Sequence, residues 1–568
     1  MNDMTEHEMT EPSRSASARP AQPHVVVVGG GLAGLAAAAA LSSTDVLVTV
    51  LESRRRAGGR AASFEDPVAG GLVDACQHVA MGCCTNFLDL CRQAGLTDAL
   101  RCDRTLWFIG PDGDRAACTP SRLLPAPMHL TPLLLGMRHF SFREKLSLGI
   151  GMLKLARYRE PSGGETSTAL AWLESVGQPK RVIRLFWQPV LESALGESID
   201  LVSTSAARKV AVDAFLAHRD AADLFVPTEP LGTLFGDRLV AWLEGRGVTV
   251  EAGRSVTTIE RDAEGRASAV IHAAGRMACD AVIIALPWRQ AARVVPDVVP
   301  AADETFVGSP ITAVHLWFDR DCIDLPHAVL VDRVSQWVFR PDAAEGRQPG
   351  YCQVVISASR GLLGGDREAL VATVVAELRE TFPAARDAVL VNARVVTDPT
   401  AVHLWFDRDC IDLPHAVLVD RVSQWVFRPD TAEGRQPGYC QVVISASRGL
   451  LGGDREALVA TVVAELRDTF PAARDAVLVD ARVVTDPTAV LSVRPGVDAF
   501  RPAAVTAVPN LFLAGDWTAT GWPSTMEGAV RSGRLAAGAT GRYVGRPVDR
   551  LTADLAKNPV VRLLTGNR

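Results

Sequence analysis

The chain has 568 residues, 48% hydrophobic and 22% charged, with 59 Lys and Arg against 65 Asp and Glu for a formal charge of -6. So large an apolar share excludes a disordered regulator, and 11 cysteines in this length are too few for a disulfide scaffold. Without a basic excess, no nucleic-acid partner is expected.

Residues 1–23 are polar, acidic at the start and rich in Ser, Ala and Pro. They predict a disordered tail and lack the basic start and apolar centre of a signal peptide. Val25 to Leu41 carries no charge but is short for a helix across ~30 Å of hydrocarbon, and glycines interrupt it. Valines, then glycines, then alanines and leucines predict strand, turn and helix. In the turn, Gly29, Gly31 and Gly34 have the G-x-G-x-x-G spacing. The first serves the tight turn, the second admits a pyrophosphate to the backbone, and the third lets the helix pack on the strand. A second strand, 45–51, ends at Glu52, which is placed to accept from a ribose hydroxyl. The next loop carries Gly58, Gly59 and Arg60, donors that can wrap a phosphate.

His78 titrates near neutrality and is the candidate general acid, with Asp74 four residues earlier as its orienting partner. Cys83 and Cys84 are expected to pack along a substrate wall. No cysteine–histidine spacing suits a metal, and none is expected. Residues 106–230 predict a mainly helical substrate domain. Within it, 130–159 mixes large apolar residues with Arg138, Arg143, Lys145, Lys154, Arg157 and Arg159, a pattern suited to a bilayer interface. Residues 231–311 return to the nucleotide fold, with a helix at 233–245 and strands at 248–251, 255–260, 267–272 and 280–287.

Residues 312–402 then match 400–490 at a constant offset of 88, with three differences: Ala343 against Thr431, Glu380 against Asp468, and Asn392 against Asp480. Two long copies are not solenoid periodicity. They suggest a tandem duplication whose single-unit form would have 480 residues. Each unit predicts strands (313–318, 328–338 and 351–358 in the first), a helix (365–379) and a final strand (388–396). After the repeat, 510–516 predicts a buried strand ending in Gly515-Asp516, and a helix of about fifteen residues follows from Met526.

These segments resemble the amine oxidase and phytoene desaturase superfamily of flavoproteins: GGGLAGL from Gly29 to Leu35, Leu51-Glu52 with Gly58-Gly59-Arg60, and Gly515-Asp516. The resemblance implies an α/β fold: a Rossmann-like FAD-binding domain assembled from discontinuous segments, beside an α+β substrate domain that carries the duplication. It implies FAD as cofactor, with Glu52 on the adenosine ribose, the Val256 backbone at the adenine and Arg60 on the pyrophosphate. Asp516 would hold the ribityl or phosphate region, with Gly29, Gly31, Gly34, Gly59, Gly515 and Met526 completing the cofactor contacts.

Within the superfamily, Gln77-His78-Val79 with Gly82-Cys83-Cys84-Thr85-Asn86 resembles a segment of the hydroxysqualene dehydroxylases, as do Phe186–Val190 and Trp522–Val530. The chain departs from that pattern at Ala75-Cys76, where Asn-Gly is common, and at Gly196, where Asn is usual. The implied activity is reductive removal of the hydroxyl of hydroxysqualene to give squalene, in squalene and hopanoid synthesis. Reduced FAD would be the hydride donor, and an unidentified electron donor would supply it. The implied substrate is a polyprenyl lipid, and the expected location is the cytoplasm, with peripheral contact at the inner face of the cell membrane. The alternatives are a carotenoid or phytoene desaturase and a flavin-binding protein without turnover. The expected division is a tail (1–23), FAD-binding segments (24–105, 231–311, 491–545), the substrate domain (106–230), repeat units (312–399, 400–490) and a C-terminal tail (546–568).

Overall fold

The computed structural model describes residues 22–66, 71–74, 76, 78–109, 115–160, 167–300, 306–309, 311–340, 350–359, 367–397, 400–406, 408, 415–417, 425–427, 439–444, 455–476, 478–485 and 490–565. Most of the expected N-terminal tail, and Gln77, fall outside them.

Five parallel strands form the nucleotide-side sheet, in the order Val248–Glu251, Leu47–Leu51, His24–Val28, Ala281–Ile284, Leu511–Leu513. Both faces are covered, so the central strands are unbroken apolar runs; Val25 to Val28 and Ala281 to Ile284 are all buried. On one face lies the helix Leu32–Leu41, with all ten residues buried. It can be apolar all round because a second helix, Met526–Tyr543, covers it. The crossing is close: a Cβ at Gly533 would sit 2.0 Å from the Ala33 carbonyl oxygen. An antiparallel sheet of Val256–Arg261, Ala267–His272 and Gly275–Ala278 contributes Ile259 and Val270 to the core on the other face. The sheet thus draws its strands from stretches hundreds of residues apart.

Helices between Thr131 and Glu244 build a second core around Trp187, Phe186, Leu191 and Leu173. Phe142–Ala156 is started by a capping box: Ser141 Oγ accepts from Glu144 N, and Glu144 Oε2 accepts from Ser141 N. Gln188–Leu195 ends on Gly196 at φ 67. Gly is the residue most at ease in that left-handed position.

The lobe is not purely helical. Its strands Leu106–Ile109 and Arg115–Cys118 extend the sheet of the first repeated unit, making seven strands in the order Leu390–Thr397, Thr312–Phe318, Tyr351–Ile356, Trp337–Phe339, His327–Leu330, Leu106–Ile109, Arg115–Cys118. The strand expected at 328–338 is a hairpin of two strands, with Asp332 in its turn at φ 62, a conformation Asp tolerates better than most residues. The second unit repeats the register in a sheet of its own, with five strands among the described residues: Thr400 lies opposite Ile444 as Thr312 lies opposite Ile356. Gly308–Ser309 pairs with Val490–Leu491, so the chain leaves for the repeats and returns at one place.

Candidate functional site: a nucleotide cleft and the Asp74–His78 segment

The three turn glycines have different physical reasons. A Cβ on Gly29 (φ +110) would meet the Ala285 oxygen at 2.5 Å, and one on Gly34 would meet the Gly29 oxygen at 1.9 Å. At Gly31 the nearest atom is Gly59 Cα at 3.8 Å, so this position is open. The helix that starts there has no side-chain cap and no acid in its first turn. Its N–H groups are left for an anion, and the open approach at Gly31 fits the pyrophosphate of a dinucleotide.

Glu52 is buried at the end of its strand and bridges two loops. Oε2 accepts from Gly30 N at 2.8 Å; Oε1 accepts from Arg54 N at 2.8 Å and Ser53 Oγ at 3.2 Å. A carboxylate has about four acceptor positions, so one remains for a ribose hydroxyl. Glu52 also draws in the middle segment: its own N–H donates to the Glu251 carbonyl at 2.9 Å, and Arg254 N–H donates to the Glu52 carbonyl at 2.7 Å. Val256 opens the next strand from there.

The Gly58-Gly59 pair (φ 114 and 64) lies directly on the glycine turn, with Gly58 N donating to the Gly30 carbonyl at 2.8 Å. Arg60, which follows, ion-pairs with Asp516 at 2.5 Å. Two residues singled out from opposite ends of the sequence therefore meet. Asp516 is 3% exposed and follows Gly515 (φ 144), where a Cβ would strike the Trp517 indole nitrogen at 2.3 Å. Met526 is the first residue of the helix behind it, capped by Thr525 Oγ1.

Two residues here escaped the sequence reading. Buried Arg501 donates to the carbonyls of Asp516 (2.5 Å) and Trp522 (2.7 Å), clamping the Gly515–Trp522 loop. Glu527, fully buried, accepts from Phe87 N at 2.8 Å and Asn86 Nδ2 at 2.9 Å, capping the helix Thr85–Gln93. Burial raises its carboxyl pKa above the ordinary value. Asn86 in turn accepts from Arg534 at 3.1 Å, so the Gly82–Asn86 segment is strapped to the Met526 helix. The Glu527 signal was available as an acid in the first turn of an apolar helix. Arg501 had none beyond being a charge in apolar surroundings.

The expected Asp74–His78 partnership is corrected. Asp74 ends a strand, Gly71–Asp74, lying opposite Ser63. Its Oδ1 accepts from Ser63 Oγ at 2.5 Å and from Leu231 N at 2.8 Å. Residues four apart stack on a helix, whereas Asp74 ends a strand and Cys76 lies in a bend. His78 Nδ1 instead faces the Cys76 carbonyl at 2.8 Å. Burial and the positive charge of Arg60 hold its pKa below 6.5. Because a carbonyl can only accept, Nδ1 carries a proton and donates to it. Burial pushes Asp74 the other way, up to about 6. Cys83 lies in the core of the helical lobe, its thiol pKa raised well above the ordinary value by its contact with Cys84 and by burial.

A parallel sheet with a glycine turn, an acid on the second strand and a Gly-Asp segment paired to the loop beside the turn defines a dinucleotide-binding class of fold. Residues 32–401 and 390–540 match the family described as flavin containing amine oxidoreductase, and the chain belongs to that family. The two matches overlap inside the repeat. FAD is the cofactor. Among curated relatives, hydroxysqualene dehydroxylase of Zymomonas mobilis is 34% identical over 149 residues, 26% of this chain and 31% of that protein. The 15-cis-phytoene desaturase of Synechococcus elongatus is 31% identical over 146 residues, 24% of this chain and 31% of that protein. The chain thus spans about a third of the length of these relatives. The fold is similar to that of cyclohexylamine oxidase from Brevibacterium oxydans, with TM-score 0.57 and 15% identity over 92% of this chain and all of that one.

Proposed function

We propose that the chain reductively removes the hydroxyl of hydroxysqualene to give squalene. The observation that carries this reading is the segment from His78 to Asn86, tied through Glu527 to the helix that closes the cofactor cleft, in a chain similar to hydroxysqualene dehydroxylase. In the reaction the C–O bond breaks, a C–H bond forms, and the oxygen leaves as water with one added proton. Bound FAD, once reduced by an electron donor, supplies the hydride. Gly31 leaves room for the pyrophosphate, Glu52 holds the ribose, and the Arg60–Asp516 pair closes the cleft over them. His78 lies in the same segment, its ring set by the hydrogen bond from Nδ1 to the Cys76 carbonyl. Asp74, with a pKa of about 6, is the acid that delivers the proton to the departing oxygen, most effectively at or below that pH.

A thirty-carbon substrate stays in lipid, and the helix Phe142–Ala156 suits a protein that collects it there. Phe142, Leu146 and Ile150, one turn apart on one face, are 75%, 56% and 44% exposed, with exposed Arg138 and Arg143 beside them. No helix among the described residues is long and apolar enough to cross a membrane. Surface contact is the reading this supports.

The test is anaerobic: reduced holoenzyme mixed with hydroxysqualene should yield squalene and oxidised flavin in equal amounts. A second reading, polyene desaturation, is favoured by the similarity to phytoene desaturase. It requires a gain of double bonds with oxidised flavin as starting form, and lipid extracts distinguish the two.

A further inference from the structure

The first repeated unit docks on the helical lobe and on Asp74 and Asp103 through contacts whose own residues all recur in the second. Its edge strand pairs in parallel with Leu106–Ile109, Val329 lying opposite Phe108 and Leu330 opposite Ile109. His327 Nδ1 stands 3.1 Å from Asp103 Oδ2, and Asp332 stands 3.4 Å from Arg184. The Trp337 indole N–H donates to Ser193 Oγ at 2.6 Å, and Gln353 Nε2 donates to the Asp74 carbonyl at 3.3 Å. In sequence, the equivalent residues of the second unit are His415, Val417, Leu418, Asp420, Trp425 and Gln441, identical in type, with Leu418 and Asp420 outside the described residues. The differences lie elsewhere. Glu380 pairs with Arg333 inside its own unit, Asn392 lies opposite Trp317 near the far edge of the sheet, and Ala343 is outside the described residues.

The second unit has the same internal strand pairing, yet its strand His415–Val417 ends the sheet. Among the described residues that strand pairs with Trp425–Phe427 and with no other. Such an edge presents a row of backbone donors and acceptors for another strand.

We propose that the docking site on the helical lobe, centred on Phe108 and Ile109, takes either unit, so that the two exchange as its occupant. Because the docking residues are identical, their contact energies cancel between the two arrangements. The balance is then set by chain connection, which is almost symmetrical. With the first unit docked, Ser309 leads directly into Thr312, and the second unit fills the excursion from Thr397 to Val490. With the second docked, Thr485 leads directly to Val490, and the first unit fills the excursion from Ser309 to Thr400. Loop entropy varies slowly with length, so even a twofold difference in excursion shifts the populations only about threefold. The tether holds the undocked unit at an effective concentration in the ~mM range, far above any second chain in dilute solution. Exchange therefore occurs within one chain.

Paired cysteines in the full-length holoprotein test this. Phe108→Cys with Val329→Cys reports the first unit docked, and Phe108→Cys with Val417→Cys reports the second; Phe108→Cys alone sets the background from native thiols. Mild oxidation at low protein concentration, read by non-reducing gel and peptide mapping, should give an intrachain disulfide in both pairs, with yields within about tenfold. Closure of the first pair alone overturns the proposal, as does closure of the second pair only between chains, which would make the partner another copy. A second measurement needs no disulfide. Val329→Asp should leave FAD occupancy and the melting midpoint near the parent values, because the second unit takes the site; so should Val417→Asp. The double variant should lose the partner of Leu106–Ile109, and proteolysis within 106–118 should rise at least about tenfold. If Val329→Asp alone does as much damage as the double, the units do not exchange.

Discussion

At the glycine turn the distances are set by backbone against backbone, whereas the Asp74–His78 segment is held by side chains whose charge changes with pH. At Gly29 and Gly34 the first region has no room for a single added carbon. The second has two groups whose pKa values burial has moved towards each other's range. On the proposed function, the contrast separates holding a cofactor from moving a proton. The one needs rigid cavities, the other a group poised between two states.

Breaking the rigid side should have the largest effect. In Gly34→Ala the new methyl lies 1.9 Å from the Gly29 oxygen, and neither backbone can move without opening the strand–helix turn. The cost should exceed the ~1–3 kcal/mol of ordinary overpacking, seen as colourless protein with a lowered melting midpoint.

Asp74→Asn addresses the other side. The folded protein holds the Asp74 proton up to about pH 6, whereas the unfolded chain releases it near 3.8. The group's favourable contribution is therefore fully present below the unfolded value and is lost as pH rises through 6. The variant should melt about 2–4 °C higher than the parent at pH 8, and no higher at pH 4. Its single-turnover reductive step should nonetheless slow ~10²-fold, with FAD still bound. Equal rates would remove Asp74 from proton supply.

Gly31→Ala sharpens the comparison from within the glycine turn. Its methyl meets nothing closer than Gly59 Cα at 3.8 Å, so the apoprotein should fold and melt as the parent does. FAD should bind at least about tenfold more weakly, because the methyl occupies the pyrophosphate approach. Flavin titration of Gly31→Ala and Gly34→Ala side by side then distinguishes a ligand-facing glycine from a packing glycine.

Smaller effects are expected further out. Phe142→Glu with Leu146→Glu should reduce co-flotation with anionic liposomes several-fold and leave turnover of detergent-dispersed substrate unchanged. Deleting residues 313–400 joins Thr312 to Ala401 and keeps one complete unit, and should change FAD content and melting midpoint least of all. Loss of flavin from that 480-residue form would make both units parts of one architecture.

The nucleotide side was legible in the sequence because its signals are local: three glycines at fixed spacing, an acid closing the next strand, and apolar runs for buried strands. The repeat, too, could be read by eye. What could not be read were contacts between distant positions. Glu527 and Asn86 are 441 residues apart, and Arg501 meets its carbonyls only because the loop folds back. Asp74 and His78 were misjudged for the opposite reason, their closeness in sequence. Spacing of four implies contact on a helix, and this segment follows a strand. The sharing of one sheet between Leu106–Ile109 and the first repeated unit was likewise invisible, since a parallel pairing across some two hundred residues leaves no local pattern.

The short pairing of Gly308–Ser309 with Val490–Leu491 has a wider consequence. Because outgoing and incoming strands lie side by side there, the remainder of the fold registers only the distance between the two ends of whatever is spliced in, not its size. The position behaves as a socket. A foreign domain with adjacent termini, such as a fluorescent reporter, could be grafted there without stretching the strand Leu511–Leu513 from its place. Natural variation in chain length among related enzymes should accumulate at this socket more than in the cleft itself.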